Sequence, residues 1–306
     1  MKATPKAVHV VPHPIPSTQP SEPDKFRFFY EKAAPWVNRG TVYGFPMREE
    51  MNEPTIVEGE CAIGALTALD TGAVFGITTG RRPHAFYYHS SFYVVDLGVL
   101  SDAPAEGATI VRTHGDVVVG GWRGARGGLF RHDAAREFGT GQEDFYSKRE
   151  PVVQIPLPDR REGVLALAYD AAEEGVFGLT TRGRVFSLRD RAKRPHIVAT
   201  AKDATPAATL VRLPDGRFLG ACEEGRLWQW RPGDREIELL AALAPCEKGK
   251  RYVAGVQTLL AASNGLVYGG TSTDGFFFSF DPASGRVVNL GKPQRQSFIR
   301  ALTEGH

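Results

Sequence analysis

Between residues 256 and 291 the chain alternates short apolar runs with turn-forming clusters. Val256 to Ala261, Val267-Tyr268, Phe276 to Phe280 and Val287 to Leu290 are separated by Ser263-Asn264-Gly265, by the polar residues after Gly269-Gly270, and by Asp281-Pro282-Ala283-Ser284-Gly285. Runs this short read as strands rather than helices. At the joints, Asp bonds its own backbone, Pro presets φ and Gly accepts positive φ, which is the chemistry of tight hairpins. The stretch predicts four antiparallel strands.

The end of its second strand, two apolar residues followed by glycine, recurs along the chain. Copies stand at Val42-Tyr43-Gly44, Val74-Phe75-Gly76, Val118-Val119-Gly120, Val176-Phe177-Gly178, Phe218-Leu219-Gly220 and Val267-Tyr268-Gly269, their glycines 32 to 58 residues apart. A four-stranded unit repeated at this period predicts an all-β fold, a β-propeller of four-stranded antiparallel blades. Complete blades are expected over residues 61–100, 107–158, 163–200, 207–243 and 255–291. The C-terminal SFIRALTEGH, Ser297 to His306, reads as the first strand of one more blade, and Thr41 to Met47 as its second, with Phe26 to Tyr30 available as a further strand. Six blades, one shared between the chain ends, would pair edges otherwise left open. A chain cut from a longer parent is the rival reading. Residues 1–25, with Pro12, Pro14, Pro16, Pro20 and Pro23, are expected to form a flexible arm, and residues 26–306 a single domain.

Through Val267-Tyr268-Gly269-Gly270 and Phe280-Asp281-Pro282 the blade resembles the Kelch and streptogramin-lyase-like families of propellers. The double glycine recurs only at Gly120-Gly121, the late Trp of the Kelch pattern is absent, and no Trp-Asp dipeptide closes a blade as in WD40 repeats. The resemblance implies a fold used by protein-binding platforms, sugar or antibiotic lyases and lactonases, so it leaves the activity open.

A net charge of +2 and a pI near 8.4 offer no global field for nucleic acid or membrane, so any charge signal has to be local. Cys61, Cys222 and Cys246 are widely spaced and form neither a zinc ribbon nor a disulfide framework. The proline-rich N-terminus has no apolar run long enough for a signal peptide or a membrane span, and a reducing cytoplasm is the expected location. No P-loop, dinucleotide fingerprint, nucleophile elbow, zinc-protease helix or calcium loop occurs, so neither cofactor nor metal is expected. His9 and His13 fall in the arm. His84 and His89 fall on opposite faces of a regular strand, and the Gly121-Trp122-Arg123-Gly124-Ala125-Arg126-Gly127-Gly128 stretch reads as a flexible hairpin loop. The polar insertion from Arg131 to Glu150 is the longest between two strands.

Position in the repeat singles out one local pattern. In a propeller, the loops joining second to third strands and fourth strands to the next blade lie on one face. The first set holds Arg81, Arg82 and His84, then Arg123 and Arg126, then Arg182 and Arg184. The second holds Arg160 and Arg161, Lys248, Lys250, Arg251, Lys292 and Arg295, with Asp102, Glu162, Glu223 and Glu224 opposing the charge. Guanidinium groups bind carboxylate and phosphate through paired hydrogen bonds. The pattern leads to a binding module whose basic face, at Arg81, Arg82, His84, Arg123, Arg126, Arg182 and Arg184, receives an acidic protein or an anionic small molecule or oligosaccharide. The alternative is a lyase or hydrolase acting on an anionic small molecule or uronate sugar, with His84 or His132 as base and Arg81, Arg123 or Arg182 holding the carboxylate. His114 and the His132-Asp133 pair sit at turns and strand ends. His114 is a further candidate for that chemistry, and Asp133 could orient His132.

Overall fold

The computed structural model describes residues 60–69, 73–89, 93–123, 126–134, 152–202, 205–246, 255–272, 274–293 and 297–304. The chain divides into two compact units, residues 1–55 and 56–306, and everything described belongs to the second. The expected strands at Phe26 to Tyr30 and Thr41 to Met47 therefore lie outside the described residues.

The twenty elements of the described chain are all strands, gathered into five four-stranded antiparallel sheets in which strands follow in sequence order. Sheet 1 contains β1 (Glu60–Ala68), β2 (Val74–Gly80), β3 (His84–His89) and β4 (Tyr93–Val99). Sheet 2 contains β5 (Gly107–Arg112), β6 (Asp116–Arg123), β7 (Arg126–Asp133) and β8 (Val153–Ile155). Sheet 3 contains β9 (Val164–Asp170), β10 (Gly175–Thr180), β11 (Arg184–Arg189) and β12 (His196–Thr200). Sheet 4 contains β13 (Pro206–Arg212), β14 (Phe218–Cys222), β15 (Arg226–Trp230) and β16 (Glu238–Leu243). Sheet 5 contains β17 (Val256–Ala261), β18 (Val267–Thr271), β19 (Phe277–Asp281) and β20 (Arg286–Gly291). These are the five expected complete blades. Each first strand adjoins the first strand of the next sheet.

The turns close as their residues dictate. Asp281 Oδ1 accepts the Ala283 N–H at 2.9 Å, its Oδ2 accepts the Ser284 hydroxyl at 2.7 Å, and Gly285 takes a φ of 68°. At the same end of the sheet, in the β17–β18 turn, Asn264 Oδ1 accepts the Leu266 N–H at 3.0 Å and Gly265 has a φ of 82°.

Register explains the recurring glycine. Across the first three strands of each sheet one residue from each lies in line: Leu66, Gly76 and Phe86; Ile110, Val119 and Phe130; Leu167, Gly178 and Phe186; Leu210, Gly220 and Trp228; Leu259, Gly269 and Phe278. The third-strand aromatic folds back over the glycine, leaving no room for a side chain. A Cβ on Gly220 would lie 2.1 Å from the Trp228 ring, and one on Gly269 2.2 Å from Phe278. Sheet 2 departs from the expected register by one residue. Val119, rather than Gly120, occupies the place of the other glycines, and a Cβ on Gly120 would meet Val164 of sheet 3 at 2.5 Å.

The cores are the faces between successive sheets. Phe130 packs with sheet 1 residues Phe75 and Ile77, Phe186 with Val118 and Leu129 of sheet 2, Trp228 with Phe177 and Leu179 of sheet 3, and Phe278 with Leu219 and Leu227 of sheet 4. On the corresponding face of sheet 1 Leu66 is 52% exposed, whereas its counterparts Leu167, Leu210 and Leu259 are buried. At the other end of the series the expected closing strand, Phe298 to Thr303, does not have strand conformation. The Ile299 N–H nevertheless donates to the Thr271 carbonyl at 3.3 Å, and its side chain covers Gly270 as Val164 covers Gly120. Phe298 is exposed, with the Arg300 guanidinium 4.9 Å from its ring. No helix among the described residues is long and apolar enough to cross a membrane.

Candidate functional site

The two loop sets do share a face. Gly80 and Ala105 exchange backbone hydrogen bonds at 3.1 and 3.0 Å, and Arg82 and Arg182 reach Asp102 and Asp159 on the neighbouring connections, each at 3.3 Å. These ion pairs also occupy part of the predicted cationic surface. Arg184 is held most firmly, its Nε donating to Glu162 Oε1 at 2.7 Å and its Nη2 lying 2.7 Å from Oε2, with Glu162 wholly buried. Removing one partner of such a pair leaves a buried charge unmet, so Arg184 is a structural residue. Asp159 draws on the same group: the Arg161 N–H first, then the Arg182 and Arg184 guanidiniums, hold its carboxyl below the usual range.

Arg81 and Arg82 are exposed beside Pro83. The backbones of Arg123 and Arg126 pair at the end of the β6–β7 ladder, which runs unbroken from Asp116, so Gly121 to Arg123 and Arg126 to Gly128 are strand residues where a loop was expected, while residues 124 and 125 lie outside the described residues. The side chains of Arg123 and Arg126 lie outside them too, as do Lys248, Lys250, Arg251 and Arg295. Lys292 Nζ sits 4.7 Å from the centre of the Phe276 ring.

The histidines do not converge. His84 is buried at the start of β3 on the loop face, and its N–H donates to Thr78 Oγ1 at 2.9 Å. His132 is completely buried near the opposite end of β7, its ring 5.3 Å from that of Phe75 between sheets 1 and 2. His114 stands at that opposite end too, edge-on to Tyr169 at 5.5 Å, and the Tyr169 hydroxyl donates to Asp190 at 3.1 Å. Among the described residues no three metal-ligating side chains cluster.

Two cavities open on the loop face, and both belong to sheet 2. The first, about 370 Å³, lies between sheets 1 and 2 and is lined by Ile77, Pro83, Leu100, Pro104, Phe130 and Arg160 among others. The second, about 520 Å³, is bounded by Gln154, Ile155, Pro156 and Leu157. Gly127, Gly128 and Arg160 line both. Arg160 is exposed and makes no ion pair among the described residues.

The cleft exists because sheet 2 breaks a regularity of its neighbours. Two residues after the in-line position stand Thr78, Thr180 and Thr271, all buried, whose hydroxyls accept the N–H of His84, Arg184 and Phe276 at 2.9, 3.1 and 2.9 Å. In sheet 2 the corresponding pair is Gly121 and Gly128, directly opposite one another; the Phe130 ring covers Gly128, where a Cβ would meet it at 2.6 Å, and Gly121 has no side chain to fill the space beside it. Sequence reasoning missed these residues. The signal was present as Thr-Thr-Gly, Thr-Thr-Arg and Thr-Ser-Thr at the ends of the second strands of sheets 1, 3 and 5, replaced in sheet 2 by Gly-Trp-Arg.

No sequence-family model matches this chain, and no characterised relative matches by sequence. Many solved structures share its fold. A catalytically inactive virginiamycin B lyase from Staphylococcus aureus, solved with quinupristin, matches 78% of this chain and 73% of its own at 11% identity, with a TM-score of 0.57. YCF48 bound to D1 peptide matches 78% of this chain and 70% of its own at 13% identity and a TM-score of 0.52. A structural-genomics protein of unknown function from Bacteroides thetaiotaomicron matches 76% of this chain at 12% identity and a TM-score of 0.54, and this chain spans only 58% of its length. At such identities the likeness concerns the fold: an all-β, propeller-like assembly of four-stranded sheets. None of the three carries a Kelch name.

Proposed function

We propose that this chain is a binding module whose loop face receives an acidic protein partner or another anionic ligand at the clefts of sheet 2. The observation that carries the reading is Arg160, the guanidinium shared by both cavities and not engaged by a carboxylate among the described residues, above walls of apolar side chains and glycine. A concave apolar site with one convergent charge fixes the orientation of a ligand through that charge and gains affinity from the walls. The structural neighbours include one propeller captured with a peptide, a use of this fold that agrees with the proposal. Arg81 and Arg82 precede Pro83, which lines the first cleft, and Arg126 precedes Gly127 and Gly128, which line both, with Arg123 paired to it across the hairpin. The lyase or hydrolase alternative has less support, because neither His84 nor His132 lines either cavity.

Six-bladed closure belongs to the same proposal. Its support is the exposure of Leu66 on sheet 1 and the placement of Ile299 over Gly270, where a following sheet's first strand would lie.

The test of function is titration of a fluorescent acidic peptide and of a sulfated oligosaccharide into wild type and single-arginine variants, at two salt concentrations. Arg160→Ala is expected to weaken binding roughly tenfold, with a smaller effect at higher salt, while Arg182→Ala, already paired with Asp159, changes it little. Equal affinity of wild type and the Arg160→Ala, Arg81→Ala and Arg123→Ala variants would sink the assignment of this face.

A further inference from the structure

The third and fourth strands of four sheets pair up to the loop face. His84 pairs with Val99, Arg184 with Thr200, Arg226 with Leu243 and Phe277 with Gly291. Sheet 2 does not. Its β8 meets β7 only at Leu129, Phe130 and Arg131, although β7 begins at Arg126 and pairs with β6 along its whole length. Pro156 follows Ile155, where it has no N–H to donate and ends the ladder. Arg126, Gly127 and Gly128 are thus left with an outer edge that no strand covers among the described residues.

That edge borders the cavities just described. Gly127 and Gly128 form the wall common to both, one cavity lying toward sheet 1 and the other toward β8. An unpaired strand edge presents backbone donors and acceptors to an incoming chain, and glycine allows that chain to approach without side-chain obstruction.

We propose that the ligand of this face is an extended peptide that adds as a strand to the Arg126–Gly128 edge of β7, in the place a longer β8 would take. The inference rests on the binding role proposed above and specifies its mode and its partner. Three edge residues span about 10 Å and offer two or three backbone hydrogen bonds. Side chains of an added strand alternate between its two sides. An apolar one enters the cleft of Ile77, Leu100 and Phe130, and a carboxylate reaches Arg160. The ligand class is therefore a peptide that alternates apolar and acidic residues in an extended conformation. Specificity for such a sequence comes from the clefts, and the backbone bonds are indifferent to it.

The experiment uses the full chain and a capped hexapeptide alternating leucine and aspartate. Copies N-methylated at single backbone amides and a leucine–lysine counterpart accompany it. N-methylation removes a donor and adds bulk to the edge, so one register of methylated peptides is expected to bind roughly tenfold more weakly and the other to match the parent. The lysine counterpart is expected not to bind. On the protein side, Gly121→Thr restores the residue found at this position in sheets 1, 3 and 5. A Cβ at Gly121 meets nothing closer than 3.4 Å, so this variant is expected to fold as wild type does and to lose the peptide by filling the cleft. Hydrogen exchange gives an independent reading, with slowed amides within 126–128 in the complex. Binding that depends on Arg160 but ignores N-methylation, with no slowed exchange at 126–128, overturns strand addition and leaves the binding role standing. Failure of the parent peptide, the acidic peptide and the sulfated oligosaccharide to bind overturns both.

Discussion

Single residues in this chain illustrate how environment assigns a role to a side chain that composition cannot. Cys222 is buried in the core between sheets 3 and 4, and burial first, with Glu224 adding, pushes its thiol up to about 11. Since the thiolate is the reactive form, Cys222 is expected to resist a thiol reagent at pH 8 until the protein is unfolded, while exposed Cys246 reacts at once. Mass spectrometry of the native and denatured labelled protein checks this, and early modification of Cys222 would contradict its burial. Asp159 responds to pH with the opposite sign. Its folded carboxyl titrates below the usual aspartate range, so the stabilisation it supplies is present above the unfolded pKa and is lost as pH falls through the folded one. Melting curves between pH 7 and 3 are expected to show a shallower acid decline for Asp159→Asn than for wild type.

At the scale of elements, the unit of stability is the line of three residues across a sheet, and in sheets 3, 4 and 5 an aromatic ring occupies the space above a glycine and then fills the gap to the preceding sheet. Trp228 is completely buried in this position, and Trp228→Ala is expected to cost about 3–5 kcal/mol through lost burial and a cavity. Gly220→Ala places a methyl against the indole and is expected to cost about 1–3 kcal/mol. Because both changes act on one space, the double variant is expected to be less damaged than the two costs added, the methyl entering the volume the ring has left. Chemical denaturation of all four proteins measures the coupling. Strict additivity would mean that ring and glycine do not share the contact seen here.

For the whole molecule, the question is how the series of sheets ends. The segment 297–304 is fastened at two points: Ile299 on β18, and Glu304, whose carboxylate accepts the Ser263 N–H at 3.0 Å and its hydroxyl at 2.5 Å. Deleting residues 297–306 uncovers Gly270 and the face of β18. The loss is expected to be at least roughly 1.5 kcal/mol from the apolar contact of Ile299, read as a lower melting temperature. An unchanged melting temperature would show that the segment contributes nothing to the end of the series, and the six-blade proposal would fall with it.

Fold type was legible in the chain because strand length, turn chemistry and a repeat are local properties. Asp281 to Gly285 makes its turn through its own side chains, and the five complete blades stand where the spacing of apolar runs puts them. The role of the recurring glycine was not legible, since it depends on which third-strand ring lies opposite. Sheet 2 shows the consequence: its conspicuous Gly120 faces Val164 while Val119 takes the in-line place. The arginines of the loop face could be assigned to a face by repeat position alone. Which were already neutralised could not, because Arg184 meets Glu162 across a connection of 22 residues. The clefts were hidden for a related reason. A cavity is a relation between surfaces, and the absence of a side chain at Gly121 acquires meaning only once the Thr78, Thr180 and Thr271 hydroxyls are seen bonding across the equivalent gap in other sheets. Local chemistry thus determined the strands, turns and repeat, while register and packing between sheets decided which residues face a ligand.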